Sequence, residues 1–233
     1  APLVRSVFYR LGVSEGATGE LLRDPLVRRC MLSVVEGIAH FGIRYPQPTG
    51  APITIVWNFT NRCNLNCLHC HQDSSPACSD PELTTSQAFK AIKNMADAGV
   101  AILTFSGGEP LLRLDLFEAI ERANDHGMLC TIASNGTLLT QEVAEKLAKA
   151  GVRRVEIGLD GATAETHDFL RDRLGSFEAT VQGIANCAPV GFDELAVTMT
   201  QHSKNVNELE ATMELAEKLG ATRFYLNRLI PAG

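Results

Sequence analysis

Residues 85–110 of the chain, TSQAFKAIKNMADAGVAILTFSGGEP, contain one complete structural unit. The apolar positions between Thr85 and Ala98 recur at helical spacing, and Gly99 follows as a stop signal for a helix. The next residues, Ala101–Ser106, form a short apolar run that is typical of a buried strand. A glycine-rich loop comes directly after that run. The stretch therefore predicts a helix, a buried strand and a loop in direct succession.

The same alternation extends in both directions from this unit. We predict strands at Ile53–Phe59, Ala101–Ser106, Leu129–Ser134, Arg154–Leu159, Leu195–Thr200 and Thr222–Leu229. We predict helices near Thr85–Ala98, Leu114–His126, Gln141–Ala150, Ser176–Cys187 and Val206–Leu219. Such alternation implies parallel strands joined by right-handed crossovers. The pattern predicts an α/β fold, a partial (β/α)6 TIM-like barrel of parallel strands.

The chain divides at about residue 50. Residues 1–50 are predicted to be an N-terminal helical extension and linker, with a helix that starts at Pro25 and a break at 45–50. Residues 51–233 are predicted to be the core of the protein. The sequence ends just beyond the sixth predicted strand, so we expect the core to lack its last helix.

Composition excludes several classes of protein. The 233 residues include 27 acidic and 21 basic ones, and the formal charge of −6 argues against nucleic-acid binding. No apolar run approaches the roughly 18 residues that a membrane span requires. The N-terminus has no signal-peptide pattern, so a cytoplasmic location is expected.

The unusual residues fall on the loops that follow the predicted strands. Three of the seven cysteines, Cys63, Cys67 and Cys70, crowd into eight residues after the first strand. In parallel α/β folds, these loops share one rim, where ligands bind. A C-x₃-C-x₂-C triplet supplies three thiolates, which leaves one position of a metal site to fill. Two interpretations stay open on the triplet alone. The first is a structural zinc closed by a further residue such as His69, His71 or Cys78, and the second is a [4Fe–4S] cluster with one open iron.

The glycine loop after the second strand favours the cluster. Gly107 and Gly108 let the backbone approach a ligand closely, and Glu109 offers a carboxylate that could bind an ammonium group. A structural zinc does not need such a loop, whereas an open cluster needs a neighbouring pocket for its external ligand.

The triplet followed by Gly107-Gly108-Glu109-Pro110 resembles the radical S-adenosylmethionine (radical SAM) superfamily. The resemblance runs from about Pro52 to the C-terminus and includes Leu159-Asp160-Gly161, the segment 167–171 and Leu229-Ile230-Pro231. These later features are similar to the branch with a C-terminal SPASM or twitch domain. That branch includes sulfatase maturases, peptide-modifying enzymes, cofactor-assembly enzymes and enzymes of alternative haem synthesis. The chain contains no second group of clustered cysteines for an auxiliary cluster.

The resemblance implies a role for each of these positions. Cys63, Cys67 and Cys70 would hold a [4Fe–4S] cluster, and S-adenosylmethionine would chelate its fourth iron. Ser106, Gly107, Gly108 and Glu109 would line the methionine portion, His69 would lie against the adenine side, and Arg171 would pair with the carboxylate. Ser134 and Asn135 would lie near the ribose and methionyl groups, with Asp160 as a further contact. Relatives often have serine where this chain has Gly158.

The activity implied is reductive cleavage of S-adenosylmethionine to a 5′-deoxyadenosyl radical that abstracts a substrate hydrogen. A ferredoxin or flavodoxin would supply the low-potential electron under anaerobic conditions, and the substrate would be a peptide, a protein or a cofactor precursor of the tetrapyrrole type. Two alternatives remain: a radical enzyme that acts on a small molecule without auxiliary clusters, and a zinc-binding structural or interaction module. His71, His126, His167 and His202 are expected to be solvated or to cap helices. The pairs Arg28-Arg29 and Arg153-Arg154 are expected to be solvated surface residues.

Overall fold

A computed structural model describes residues 23–78 and 81–230 of the chain. Its six strands are β1 (Thr54–Thr60), β2 (Ile102–Gly107), β3 (Leu129–Ser134), β4 (Val152–Gly158), β5 (Glu194–Gln201) and β6 (Arg223–Arg228). Its α-helices are α1 (Pro25–Phe41), α2 (Thr85–Asp97), α3 (Leu116–Asp125), α4 (Gln141–Ala150), α5 (Ala164–Arg171), α6 (Ser176–Cys187) and α7 (Leu209–Lys218). Three short 3₁₀ helices cover Pro110–Leu112, Ala188–Val190 and Val206–Glu208.

The six strands form one parallel sheet in the order β1 to β6. Sequential order with at least one helix between successive strands is the pattern of an open (β/α) barrel, and β1 and β6 are the edges of the described sheet. This confirms the α/β class and the parallel six-stranded core that the sequence predicts. The predicted strand bounds agree with the observed ones to within about two residues.

Alternate residues of each strand face the two sides of the sheet. Leu103, Phe105, Ile132 and Ile157 point towards the helices and are fully buried in the main core. The opposite face carries small or polar residues in the same strands, and these are the side chains that can reach a ligand. The register aligns them in rows across the sheet, for example Ala133 with Glu156 and Glu156 with Ala196.

Helix α5 is the one α-helix of the described residues that the sequence analysis did not predict. It has eight residues, which is too short for a clear helical period, and Thr163 caps its start by accepting a hydrogen bond from the Thr166 N–H. The predicted helix at Val206–Leu219 is divided into a 3₁₀ turn and α7.

The N-terminal prediction is confirmed for α1, which begins at Pro25 behind the cap residue Asp24. Residues 1–22 lie outside the described part of the chain. The sequence analysis expected Arg29 to be a solvated surface residue, and this expectation is wrong. The Arg29 guanidinium donates to the carbonyl oxygens of Val100, at 2.8 Å, and His126. Helix α1 is therefore attached to the loops that precede β2 and β3. Within the described residues, no helix is both long and apolar enough to cross a membrane.

Candidate active site

The three clustered cysteines line a single cavity at the carboxyl edge of the sheet. The cavity has a volume of about 630 Å³ and lies beside Cys63, Cys67 and Cys70 on the loop after β1. Seven of the nine residues predicted to contact the cofactor line the same cavity: His69, Ser106, Gly107, Gly108, Ser134, Asn135 and Arg171. Glu109 and Asp160 do not line it, since both are buried behind its wall. Cys78 is also absent from the lining.

Burial and backbone N–H groups both act on the clustered thiols. Burial raises the pKa of the Cys63 and Cys67 thiols above the usual cysteine value, and a bound metal would displace these protons. The backbone N–H groups of Leu65 and Ser74 point at the sulfur atoms of Cys63 and Cys70, each at 3.4 Å. Hydrogen bonds of this kind stabilise thiolates and tune iron–sulfur clusters.

Among residues 23–78 and 81–230, no three His, Cys, Asp or Glu side chains form a group that could hold a single metal ion. A cubane cluster does not require such convergence, because each thiolate binds a different iron atom. Cys63, Cys67 and Cys70 all line the one cavity, so all three thiols can reach a group bound there.

Gly107 and Gly108 bring the second loop against the loop that carries the cysteines. The Gly108 N–H donates to the Thr60 carbonyl at 2.8 Å, and the Glu109 N–H donates to the Arg62 carbonyl at 2.9 Å. A Cβ atom on Gly107 would collide with the Thr60 carbonyl oxygen, and one on Gly108 would collide with that of Arg62. The glycines are thus needed for the contact between two protein loops, in addition to any approach to a ligand.

Glu109 connects the second loop to the end of β3. It is fully buried, and its carboxylate accepts hydrogen bonds from the Ser134 hydroxyl at 3.0 Å, the Asn135 N–H at 2.8 Å and the Leu111 N–H at 3.2 Å. Burial raises the pKa of Glu109 to about 7, even though these donors act in the opposite direction. The expected contact between Glu109 and an ammonium group stays a prediction.

Asn135 extends this network to the cysteine loop. Its side-chain amide donates to the Asn64 side-chain oxygen at 2.8 Å, and the same nitrogen lies 3.9 Å from the Cys63 sulfur. Three neighbouring loops are therefore fixed to one another around the cavity.

Asp160 holds two residues of the cavity wall from behind. Its Oδ2 lies 3.0 Å from His69 Nε2 and 2.9 Å from Arg171 Nη2, and its Oδ1 accepts the Thr200 N–H at 2.8 Å. Burial alone would raise the pKa of Asp160, but the charge of Arg171 and the contact with His69 lower it below the usual value. A buried carboxylate that stays ionised in this way orients both partners towards the cavity.

His69 and Arg171 each keep one buried polar atom without a hydrogen-bond partner in the described residues. These atoms are His69 Nδ1 and Arg171 Nε. Arg171 Nη1 also lies 3.8 Å from the Cys67 sulfur. Buried polar groups are rarely left unsatisfied, so two such atoms beside three thiols indicate a place for a polar ligand.

The lack of a side chain at Gly158 leaves room for the Arg171 guanidinium. A Cβ atom there would collide with the Arg171 guanidinium, which fills the space beside β4. A serine at this position would displace Arg171.

The sequence analysis was wrong about His167, which is neither solvated nor a cap. His167 is fully buried, and its Nδ1 accepts the Asp160 N–H at 3.1 Å. Burial, followed by the charge of Arg171, lowers the pKa of His167 to about 3, so the ring is neutral at physiological pH. Because the sequence analysis did not predict helix α5, it could not place His167 on the buried face of that helix.

The far side of the cavity consists of polar residues on β4 to β6. Glu156, Thr198, Thr200, Asn227 and Arg228 all line it. The sequence pattern alone does not decide which face of the sheet these strand residues occupy. Within the described residues no hydrogen bond or ion pair engages the side chains of Glu156, Asn227 or Arg228, so they are available to a ligand.

The described residues thus form a parallel α/β fold with three loop thiols around one rim cavity. The family model of the Radical SAM superfamily matches residues 57–216, and the chain belongs to that superfamily.

Relatives with known functions share extended similarity. An "AdoMet-dependent heme synthase" of Methanosarcina barkeri is 43% identical over 185 residues, which cover 79% of this chain and 53% of that protein. "Mycofactocin maturase MftC" of Mycolicibacterium smegmatis is 34% identical over 203 residues, which cover 87% of this chain and 51% of that protein. The chain spans about half the length of the curated relatives it matches. These names confirm the predicted resemblance to a branch of maturases and haem-synthesis enzymes.

The fold is also shared with solved structures. SuiB of Streptococcus suis, in a crystal structure bound to S-adenosylmethionine, superposes with a TM-score of 0.71 at 15% sequence identity. The superposition covers 94% of this chain and 48% of SuiB. At this identity, the likeness concerns the fold alone.

Proposed function

We propose that this chain cleaves S-adenosylmethionine reductively at a [4Fe–4S] cluster held by Cys63, Cys67 and Cys70. The observation that carries the proposal is the meeting of three motifs in one cavity. The thiols with His69, the glycine loop 107–108 and Arg171 come from three separate parts of the sequence, yet they line the same 630 Å³ space. When bound, the cluster and S-adenosylmethionine supply the 5′-deoxyadenosyl radical.

The residues of the chain bind and orient the cofactor in this proposal. Ser106, Gly107 and Gly108 receive the methionine portion, His69 faces the adenine, and Ser134 and Asn135 approach the ribose and methionyl groups. Arg171 pairs with the carboxylate, because its guanidinium faces the cavity and keeps one unpartnered nitrogen. Asp160 and Glu109 support these groups from behind the wall, so we assign them as positioning residues.

The substrate is proposed to be a peptide, a protein or a tetrapyrrole-type cofactor precursor. This rests on the names of the relatives, which include haem synthases and MftC, and on the polar far side of the cavity. Glu156 and Arg228 are the charged residues there, and they would meet substrate groups of opposite charge. A zinc-binding module is not favoured, because the chain belongs to a superfamily of radical enzymes.

The setting of the reaction is part of the proposal. A ferredoxin or flavodoxin would donate the electron, and the enzyme would act anaerobically in the cytoplasm, where thiols stay reduced. A SPASM or twitch domain with auxiliary clusters would follow this core in the branch that it resembles.

The test is anaerobic reconstitution followed by two analyses. We expect about four iron and four sulfide per chain, as a cubane cluster requires, and formation of 5′-deoxyadenosine from S-adenosylmethionine after reduction with dithionite. A chain that binds stoichiometric zinc and never yields 5′-deoxyadenosine would contradict the proposal.

A further inference from the structure

The segment after Cys70 turns back onto the cysteine loop. Asp73 has a left-handed backbone conformation, with φ of 53°, and the two residues after it return towards the thiols. The Ser74 N–H points at the Cys70 sulfur at 3.4 Å, and the Ser75 carbonyl accepts the Cys63 N–H at 3.3 Å. Residues 74 and 75 thus contact both the first and the last cysteine of the triplet.

Ser74 places a buried hydroxyl group at the wall of the cavity. The residue is only 5% exposed and lines the same cavity as the three thiols. Its Oγ has no hydrogen-bond partner in the described residues. Only the Cα and Cβ atoms separate this oxygen from the amide nitrogen that points at the Cys70 sulfur. The Ser74 hydroxyl therefore lies beside the cysteine loop with its one donor hydrogen unused.

The other buried serines of the described residues all have protein partners. The Ser33 hydroxyl donates to the Ala51 carbonyl and accepts the Ala51 N–H, each at 3.0 Å. The hydroxyls of Ser134 and Ser176 each donate to a buried carboxylate. Buried polar groups are rarely left unsatisfied. The exception at Ser74 indicates that its partner is a group bound in the cavity.

The three sulfur atoms differ in the donors that the described residues offer them. The Cys63 sulfur has two N–H donors, at 3.4 and 3.9 Å, and the Cys67 sulfur has the Arg171 guanidinium at 3.8 Å. The Cys70 sulfur has one neutral donor in this part of the chain, the Ser74 N–H. The hydroxyl of the same residue is available as a second donor at this corner of the cavity.

We propose that the Ser74 hydroxyl donates a hydrogen bond to a sulfur atom of the [4Fe–4S] cluster at its Cys70 corner, and so raises the reduction potential of the cluster. The proposal rests on the function proposed above, because only a redox cluster has such a potential. The cluster takes up one electron from its low-potential donor, and no covalent bond forms or breaks in this step. The added negative charge strengthens a hydrogen bond to sulfur, so the donor favours the reduced form.

The test is a redox titration of the reconstituted holoenzyme without S-adenosylmethionine. Titanium(III) citrate reduces the cluster stepwise, and electron paramagnetic resonance measures the reduced fraction at each potential. The variant is Ser74→Ala. The matched control is Ser75→Ala, which removes the same hydroxyl group from the next residue, outside the lining of the cavity.

Ser74→Ala should lower the midpoint potential by about 60 mV, which is a tenfold loss in the equilibrium constant of a one-electron reduction. Ser75→Ala and Ser74→Thr should change that constant by less than about twofold, because both keep a hydroxyl at position 74. Ser74→Thr and Ser74→Val have the same shape, so their difference in potential isolates the hydroxyl. All four variants should retain about four iron per chain, and equilibrium dialysis should show an unchanged affinity for S-adenosylmethionine.

Equal midpoint potentials in Ser74→Ala and the wild type would overturn the assignment of the Ser74 hydroxyl. So would equal shifts in Ser74→Ala and Ser75→Ala, which would reflect a change in the loop as a whole. A loss of affinity for S-adenosylmethionine at unchanged potential would also overturn it, since the hydroxyl would then serve that cofactor. A wild-type chain that assembles no iron–sulfur cluster would instead contradict the proposed function, so the two failures are distinguishable.

Discussion

The β1–β4 side and the β5–β6 side of the sheet differ in how fully the polar groups beside the cavity are paired. At the carboxyl ends of β1 to β4, Glu109, Asn135 and Asp160 are buried, and each makes several polar contacts with other residues. At β5 and β6, Thr198, Asn227 and Arg228 face the same cavity without a side-chain partner in the described residues. Strand β6 is also mostly exposed.

We relate this difference to two tasks, the binding of the cofactor and the binding of the substrate. A cofactor that every turnover needs is best received by groups that are already oriented, because no ordering then has to occur on binding. Polar side chains that line a cavity and have no protein partner are free to bind a ligand, and Glu156, Thr198, Asn227 and Arg228 are such side chains in the described residues. We therefore assign the β1–β4 side to the cofactor and the β5–β6 side, together with Glu156, to the substrate.

The largest expected effect comes from removing a thiol on the cofactor side. Cys67→Ala should lose most of its bound iron after reconstitution and all detectable 5′-deoxyadenosine, because the cluster loses one of three protein ligands. Iron analysis and chromatography of the reaction products measure the two effects. Cys78→Ala is the control, since Cys78 lies on the same loop outside the cavity. Equal iron loss in both variants would show that the three-ligand assignment is wrong.

Asp160→Asn tests the support behind His69 and Arg171. The buried arginine would lose its ionised partner, which should cost about 3 kcal/mol of unfolding free energy and weaken S-adenosylmethionine binding about tenfold or more. Urea unfolding and equilibrium dialysis provide these values. Asp97→Asn removes an exposed partner of Lys93 and should change stability by less than about 0.5 kcal/mol. If Asp160→Asn bound the cofactor as tightly as the wild type, the positioning role would fail.

Asp168→Asn should destabilise the junction of α5 and α6 by about 2 kcal/mol at neutral pH. Asp168 accepts hydrogen bonds from the Gly175 N–H, the Ser176 hydroxyl and the Phe177 N–H, each at 2.7 Å. Burial would raise the pKa of Asp168, but these donors lower it below its ordinary value.

The lowered pKa gives this effect a definite pH dependence. The contribution of Asp168 is present above the unfolded pKa of about 4 and is lost as the pH falls through the folded value. The difference between wild type and Asp168→Asn in thermal unfolding should therefore narrow under acid conditions. Asp193→Asn, at an exposed ion pair with Arg153, should show little effect at either pH. A difference that did not change with pH would contradict the ionised-acceptor account.

The smallest effect is expected on the substrate side. Burial, and then the charge of Glu194, raises the pKa of Glu156. The stability contribution of Glu156 is full below the unfolded pKa of about 4.3 and is lost as the pH rises through the folded value. Glu156→Gln should thus stabilise the chain by up to about 1 kcal/mol near pH 8 and have no effect near pH 4.

Iron content and dithionite-driven 5′-deoxyadenosine formation should stay close to wild type in Glu156→Gln. Glu217→Gln, on an exposed helix face, should change nothing. A loss of stability near pH 8 in Glu156→Gln would mean that Glu156 has a protein partner and belongs to the cofactor side.

The fold and the cysteine loop could be predicted from the sequence because their signals are local. The apolar run of β2 and the glycine stop at Gly99 define an element boundary without reference to distant residues. The cysteine spacing and the glycine pair likewise occupy short stretches. The cysteine loop and the glycine loop lie at the same rim because both follow parallel strands of one sheet.

The roles of Asp160, His167 and Arg29 could not be predicted, because they depend on contacts between distant residues. An aspartate before glycine is usually a turn residue, and only the folded chain brings it to His69, 91 positions earlier in the sequence. His167 lies in a helix too short to show a period. Arg29 reaches carbonyl oxygens about 70 and 97 residues away, which no local pattern records.

The central claim is that three thiols leave one iron open to S-adenosylmethionine. Electron–nuclear double resonance on the reduced, reconstituted chain tests it directly, with S-adenosylmethionine isotopically labelled at its amino nitrogen. The account predicts a hyperfine coupling between the labelled nitrogen and the cluster, and its disappearance when unlabelled cofactor is substituted. A reduced cluster whose spectrum does not respond to S-adenosylmethionine, with no coupling to the label, would contradict the account.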